Sequence, residues 1–137
     1  MSRTFLYDLL RTDAALSTPG TLGNLGVLPD SIYAAEAADD IKHYPFITMR
    51  WNIVAKGIGD VTRQSVDVWA HDRDRDYLQI DAILKRVKVL CAGVQANAAV
   101  EGSITQIDWQ SDSPDLRDDG YDTVTRNSTY TLIGSTR

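Results

Sequence analysis

The chain has 137 residues, of which 43% are hydrophobic and 24% charged, so we expect one domain with a substantial core and no wholesale disorder. Nineteen acids against fourteen bases give a formal charge of −5 and a pI near 4.8, which argues against a nucleic-acid-binding protein with a basic stripe. The longest apolar run is far shorter than the roughly 20 residues that span a bilayer, and the single cysteine, Cys91, has no partner for an internal disulfide.

Residues 3–12 are predicted to form a short helix that Ser2 caps. An acid, Asp8, stands where the apolar core of a signal peptide would lie, and a lone cysteine fits a reducing compartment, so we expect a cytosolic product. The apolar residues of this helix share one face: Phe5, Leu6, Leu9 and Leu10.

Residues 17–30 contain three glycines and two prolines and predict a loop or arm. The glycines at positions 20, 23 and 26 have neither the spacing of a dinucleotide fingerprint nor that of a phosphate-binding loop. Four apolar residues within the arm indicate that it packs onto another part of the protein: Leu22, Leu25, Val27 and Leu28. Residues 34–41 predict a short helical turn.

Residues 45–54 and 61–70 predict two strands of a hairpin, joined by a turn at 56–60. Val66, Val68 and Ala70 share one face of the second strand, whereas Trp69 lies on the other. Two interpretations of Trp69 stay open. It belongs to a subunit interface, or to a second core face that the first helix covers.

The strongest local prediction is a long amphipathic helix over residues 73–92, with Asp72 as its N-cap. Its basic cluster of Lys85, Arg86 and Lys88 indicates a solvated face rather than a phosphate site. Apolar residues recur at spacings of three and four along one stripe: Tyr77, Ile80, Leu84, Val87 and Cys91.

Residues 103–110 predict a bulged strand, and residues 121–133 predict a closing strand with a threonine-rich face. An acidic loop at 111–122 joins them. We therefore expect a single domain over residues 1–137. The predicted fold is α+β, with a four-stranded, largely antiparallel sheet packed against one long helix and a short N-terminal helix.

The acidic loop does not match a calcium-binding EF-hand. With Gly120 at the sixth loop position, Asp115 and Asp119 fit the first and fifth positions. Arg117 and Arg126 then occupy the third and twelfth positions, where oxygen ligands are required. An irregular divalent-cation site remains the alternative to a solvated loop, so the metal content is left open.

Neither histidine has a partner at metal-ligand spacing, and no nucleophile elbow accompanies His71 and Asp72. Cys91 lies on the apolar stripe of the helix, where a small buried hydrophobe is the usual role. We predict that the protein is not an enzyme and has no cofactor. The competing hypothesis is a small metal-dependent enzyme that uses His71 and Asp119.

The order of several segments resembles the tail terminator (tail completion) proteins of long-tailed bacteriophages. The resemblance covers residues 40–134, about two thirds of the chain. The segments that carry it are Tyr44-Pro45-Phe46, Val66-Asp67-Val68-Trp69, the acid-rich helix start at 72–76, the Asp-rich connection at 112–122, and Tyr130-Thr131-Leu132.

The resemblance implies a structural virion protein that closes into a hexameric ring on the tail tube. The ring would stop tube polymerisation and present the surface that joins the head, so its partners would be further copies, the tail tube protein and a head-tail connector or stopper. Such a protein is made in the host cytoplasm, ends in the neck of the virion tail and contacts no membrane. A ring of total charge about −30 would let genomic DNA slide through without specific binding.

A closed ring needs two different contact surfaces on each subunit. The mixed charges where the second strand meets the long helix, together with the acidic loop and the arm at 17–30, are our candidates. The alternatives within the virion are a stopper protein and a tail tube subunit. The predicted interface residues are Trp69, Asp72, Arg73, Asp74, Arg75, Asp115, Asp118 and Asp119.

Overall fold

The structure is a computed structural model that describes residues 4–13, 27, 31–34, 44–56, 61–73, 77–92 and 104–135. Two helices and six strands lie in these ranges. In chain order they are α1 (Thr4–Arg11), β1 (Ile32–Ala34), β2 (Phe46–Lys56), β3 (Val61–Asp72), α2 (Leu78–Ala92), β4 (Ile104–Asp112), β5 (Leu116–Asp118) and β6 (Thr123–Ser135).

Several predicted features lie largely or wholly outside the described residues. They are the arm at 17–30 apart from Val27, the helical turn at 34–41 apart from Ala34, and the turn at 56–60 apart from Lys56. Val27 is fully buried and belongs to the main core, which agrees with an arm that packs onto the protein.

The strands form one sheet in the order β1-β2-β3-β6-β4, with β5 also paired to β6. β1 runs parallel to β2, and the other pairs are antiparallel. The expected α+β fold with a four-stranded sheet is therefore wrong, because the described residues form a mixed α/β structure with a six-stranded mixed sheet and two helices. β1 and β5 each span three residues, too few to show the alternation that predicts a strand, and β5 lies in an Asp-rich segment.

β3 and β6 form the centre of the sheet and pair without interruption from Val61 opposite Ser135 to Asp72 opposite Val124. The predicted alternation of β3 is confirmed, since Val66, Val68 and Ala70 are all fully buried on one face. The predicted bulging of β4 is confirmed as well, by register shifts near both of its ends.

Both described helices pack on this buried face. Leu6 of α1 and Ile80 of α2 belong to the same core cluster as Val66 and Val68. Successive side chains of a strand point to opposite faces, so Trp69 points away from α1. The interpretation in which the first helix covers the face of Trp69 is wrong.

The long helix begins at Leu78 rather than at residue 73, although it ends at Ala92 as predicted. The strand before it continues through His71 and Asp72, which pair with Thr125 and Val124 of β6. Asp72 is consequently a buried strand residue whose carboxylate accepts a hydrogen bond from the backbone N–H of Arg73 at 2.7 Å. It is not the N-cap of the helix.

The basic cluster of α2 is not a uniformly solvated face. Arg86 donates two hydrogen bonds to the carboxylate of Asp13, at 2.9 and 2.7 Å, and so joins α2 to the end of α1. The ammonium group of Lys88 lies 4.2 Å from the centre of the Trp109 ring. Lys85 alone of the three fits the prediction, because it is exposed and forms no ion pair within the described part of the chain.

Candidate functional site

The sheet has a second face, opposite the two helices, which we call the open face. Cross-strand pairing fixes its members, since Thr48 lies opposite Trp69, and Trp69 lies opposite Asn127. Its side chains are mainly polar and range from half-buried to exposed along most of β3 and β6. The open face includes Thr48, Arg50, Asn52, Ser65, Asp67, Trp69, His71, Thr125, Asn127, Thr129 and Thr131.

One end of the open face carries a cluster of aromatic rings around His71. Phe46 stacks on the imidazole, with ring centres 4.5 Å apart and planes within 5° of each other. Tyr121 contacts both rings edge-on, at 5.3 and 5.4 Å. Tyr44 packs against Phe46 at 5.5 Å, and the guanidinium of Arg73 lies 4.1 Å above the Tyr44 ring. The cluster is a small second core at the edge of the open face.

His71 has a hydrogen-bond partner at each ring nitrogen. Its Nε2 lies 3.2 Å from the hydroxyl of Thr48, and its Nδ1 lies 3.0 Å from the hydroxyl of Thr123. Burial lowers the pKa of His71 to about 4, although the nearby carboxylate of Asp118 opposes this shift. The imidazole is therefore neutral at pH 7 and joins β2, β3 and the start of β6 as a structural group.

Beside this cluster lies a small cleft, which we call the aromatic cleft. It encloses about 180 Å³, below the 300 Å³ or so at which drug-sized ligand pockets begin, but enough to receive protein side chains. Trp69 contributes an aromatic wall, while Arg50 and Asp118 contribute opposite charges. The lining residues are Thr48, Arg50, Trp69, His71, Asp118 and Tyr121.

Residues 113–122, which contain β5, form an acidic lobe that borders the cleft. Backbone pairing with β6 holds the lobe in place, from Leu116 opposite Thr125 to Asp118 opposite Thr123. The hydroxyl of Tyr77 donates a hydrogen bond to the carbonyl of Leu116 at 2.7 Å, which ties the lobe to the residue before α2. The lobe is thus anchored from two sides.

The tip of the lobe carries exposed charges. Arg117 forms an ion pair with Asp122, and its Nε lies 3.7 Å from the carboxylate of Asp119, which is 97% exposed. Asp122 adopts a left-handed backbone conformation with φ of 55°, which an aspartate tolerates better than most residues. We call Arg117, Asp119 and Asp122 the lobe tip.

The structure brings two predicted interface residues, Trp69 and Asp118, into the same cleft. Arg73 is exposed at the edge of the aromatic cluster, and Asp119 is exposed at the lobe tip. Asp74 and Arg75 lie outside the described residues.

The other two predicted interface residues are engaged inside the subunit. Asp72 is 7% exposed at the end of β3. Asp115 lies 3.4 Å from the guanidinium of Arg126, which also donates to the carbonyl of Ser113 at 3.2 Å.

Sequence reasoning missed Thr48, Arg50 and Tyr121 as members of the site. A signal for Arg50 was present, because it is a charge in the middle of a mostly apolar strand and alternates with Phe46 and Thr48. Tyr121 gave no such signal. Its position depends on how the lobe folds back over the sheet, which local sequence does not specify.

A second, larger cavity of about 380 Å³ lies between α2 and the β4–β6 end of the sheet, and four of its five charged side chains pair with described residues of the subunit, Lys85 being the exception. Burial acts to raise the pKa of Asp112, but hydrogen bonds from Ser128 at 2.6 Å and Trp109 at 2.9 Å, with the ammonium of Lys88, lower it overall. Arg126 pairs with Asp81 across the same cavity. These contacts explain the cavity as structural.

Within the described ranges, no three side chains of His, Cys, Asp or Glu are grouped as metal ligands. The helices found there lack the combination of length and apolar character that a membrane crossing needs. No known family model matches the sequence, and no curated protein matches it either.

Proposed function

We propose that this chain is a structural assembly protein of a long-tailed bacteriophage, a tail terminator subunit that forms a ring at the end of the tail tube. The ring stops tube polymerisation and presents the surface that joins the filled head. The resemblance over residues 40–134 motivates the family, and the hexameric ring follows from that resemblance.

The observation that carries the proposal is the position of the aromatic cleft. It lies on the sheet face opposite both described helices, and it contains Trp69 and Asp118 from separate parts of the predicted interface. Half-buried polar side chains beside an aromatic wall are typical of a protein contact surface, where aromatic residues and arginine are enriched.

The chemistry of the most reactive side chains favours a non-catalytic role. Both nitrogens of His71 are bonded to threonine hydroxyls. Burial raises the pKa of the Cys91 thiol to about 12, so this residue is a protonated thiol at neutral pH and a poor nucleophile. These features support an assembly protein over a metal-dependent enzyme that would use His71 and Asp119.

The solution mass tests the proposal, measured by light scattering at tens of micromolar with and without a divalent cation. We expect a species near six times 15.2 kDa in both conditions. A strict monomer, also in the presence of tail tube, would contradict the ring. A ring that needs the cation would show that the acidic lobe binds metal.

Electron micrographs separate the proposal from its nearest alternative. A tail tube subunit polymerises on its own into tubes of varying length, whereas a terminator stops at a closed ring. Added to growing tail tubes, the protein should cap their ends and shorten their mean length. Tubes built from this protein alone would instead assign it to the tube.

A further inference from the structure

The aromatic cleft contains two opposite charges that do not pair with each other. Arg50 is exposed, and its guanidinium forms no hydrogen bond or ion pair with any residue in the described ranges. Its cross-strand neighbour Asp67 accepts hydrogen bonds from Thr129 at 2.7 Å and Asn52 at 3.3 Å instead. Asp118 supplies the negative charge of the cleft. A complementary guest therefore presents one anion and one cation side by side.

The lobe tip presents such a pair. The carboxylate of Asp119 is 97% exposed, and its described ion-pair partner is Arg117, at 3.7 Å. Arg117 is itself about half exposed and also pairs with Asp122. A guanidinium has five N–H donors, so Arg117 can keep its bond to Asp122 and still donate to a further carboxylate.

We propose that the lobe tip of one copy of this chain binds in the aromatic cleft of the next copy. Asp119 of one copy pairs with Arg50 of the other, and Arg117 inserts beside Trp69 and Asp118. This inference rests on the proposed ring and specifies the contact that closes it. Repeated from copy to copy in one direction, this contact is head-to-tail and generates a ring when its rotation closes, whereas a reciprocal exchange between two copies would stop at a dimer.

The chemistry of the cleft suits an arginine next to an acid. A guanidinium packs on the face of a tryptophan, and its planar N–H groups match a carboxylate. Opposite charges arranged in this order also fix the orientation of the tip, since exchanging the places of Asp119 and Arg117 would bring like charges together.

Charge reversal on either side tests the contact. We expect Arg50→Glu and Asp119→Arg each to raise the concentration needed for assembly by about tenfold or more, because each places like charges opposite one another. The double variant, with both changes in one chain, should regain the wild-type mass. An equimolar mixture of the two single variants should do so too, since every contact in an alternating ring then pairs opposite charges.

Matched controls separate this contact from the effect of net charge. Arg63→Glu is the control for Arg50→Glu, because it reverses the same charge on the same face of the sheet, at the end of β3 away from the cleft. Asp8→Arg is the control for Asp119→Arg and lies on the exposed surface of α1. Both should assemble like the wild type. Circular dichroism melts of all variants show whether each one is folded.

The outcomes distinguish this inference from the proposed function. A wild type that assembles, with Arg50→Glu no more harmful than Arg63→Glu, overturns the cleft contact and leaves the ring intact. Failure of both the double variant and the mixture to restore assembly also overturns it. A wild type that is monomeric throughout overturns both proposals together.

Discussion

At the scale of single residues, His71 makes the stability of the protein depend on pH. Its pKa is about 4 in the folded chain, against about 6.5 for an unperturbed histidine. Between these values the unfolded chain binds more protons, so stability rises with pH there and is lost as the pH falls from 6.5 to 4. The change amounts to about 3 kcal/mol for this residue, at 1.36 kcal/mol per pKa unit.

Urea unfolding at several pH values measures this effect. The wild type should lose stability steeply between about pH 6.5 and pH 4. His71→Gln should be less stable at pH 7, because an amide cannot reproduce both threonine hydrogen bonds and the stacking on Phe46. Its stability should also change less over that interval. Equal slopes for the two proteins would show that another group is responsible.

Cys91 gives a second prediction at this scale. The thiol is 2% exposed, and burial raises its pKa from 9.0 to about 12, which reduces the thiolate fraction roughly a thousandfold. A disulfide reagent should therefore react with the native protein far more slowly than with the unfolded one. Absorbance of the released thiol follows the reaction, and Cys91→Ala combined with Ser111→Cys, which places the thiol on an exposed position, is the fast control. Rapid labelling of native Cys91 would contradict its burial.

At the scale of elements, the pair between Asp13 and Arg86 joins the two helices. The carboxylate of Asp13 is 9% exposed, and it accepts two hydrogen bonds from the guanidinium. Those hydrogen bonds raise the pKa of Arg86 above its ordinary value, so the group stays charged throughout the accessible pH range. This geometry is stronger than that of an ordinary surface pair, because both nitrogens of the fork are used.

We expect Arg86→Met to lower the free energy of unfolding by about 1 kcal/mol. Lys85→Met, one residue earlier on the exposed side of α2, should change it by only a few tenths of a kcal/mol. A double-mutant cycle with Asp13→Asn, followed by urea unfolding, isolates the coupling between the two side chains. A coupling energy near zero would mean that the pair contributes nothing to helix packing.

Among the helices and strands, the long ones were predictable from sequence and the short ones were not. β3, β6 and the body of α2 repeat their periodicity over many residues, so sequence pattern identified them. β1 and β5 are too short for that, and only pairing with β2 and β6 makes them strands. The start of α2 was placed five residues early because Asp72 has the chemistry of an N-cap, whereas β6 keeps it in the sheet.

At the scale of the whole molecule, the proposed contacts are electrostatic, so assembly should depend on salt. The Debye length falls from about 10 Å at 0.1 M salt to about 3 Å at 1 M. Light scattering over this range should show the assembled fraction falling as salt is added. Arg50→Glu should show the opposite trend, because salt screens its repulsion. Assembly of the wild type that strengthens with salt would indicate an apolar contact instead.

Local sequence pattern was sufficient to predict the two described helices, the long strands and their buried faces. Composition was sufficient to predict the acidic charge and the absence of an internal disulfide. The local pattern also marked Trp69 and the acidic loop as surfaces of interest. These properties depend on residues that are close in sequence, or on composition, and so they can be inferred without knowing the fold.

The site itself required the folded chain. His71 bonds to Thr123, which is 52 residues away, and Arg86 bonds to Asp13, which is 73 residues away. The cleft combines residues of β2, β3, β5 and the turn after β5, and a shift of one residue in the pairing of β2 with β3 would place Arg50 and Trp69 on opposite faces. Pairing between distant strands depends on the free energy of the whole sheet, which no single segment of the sequence contains.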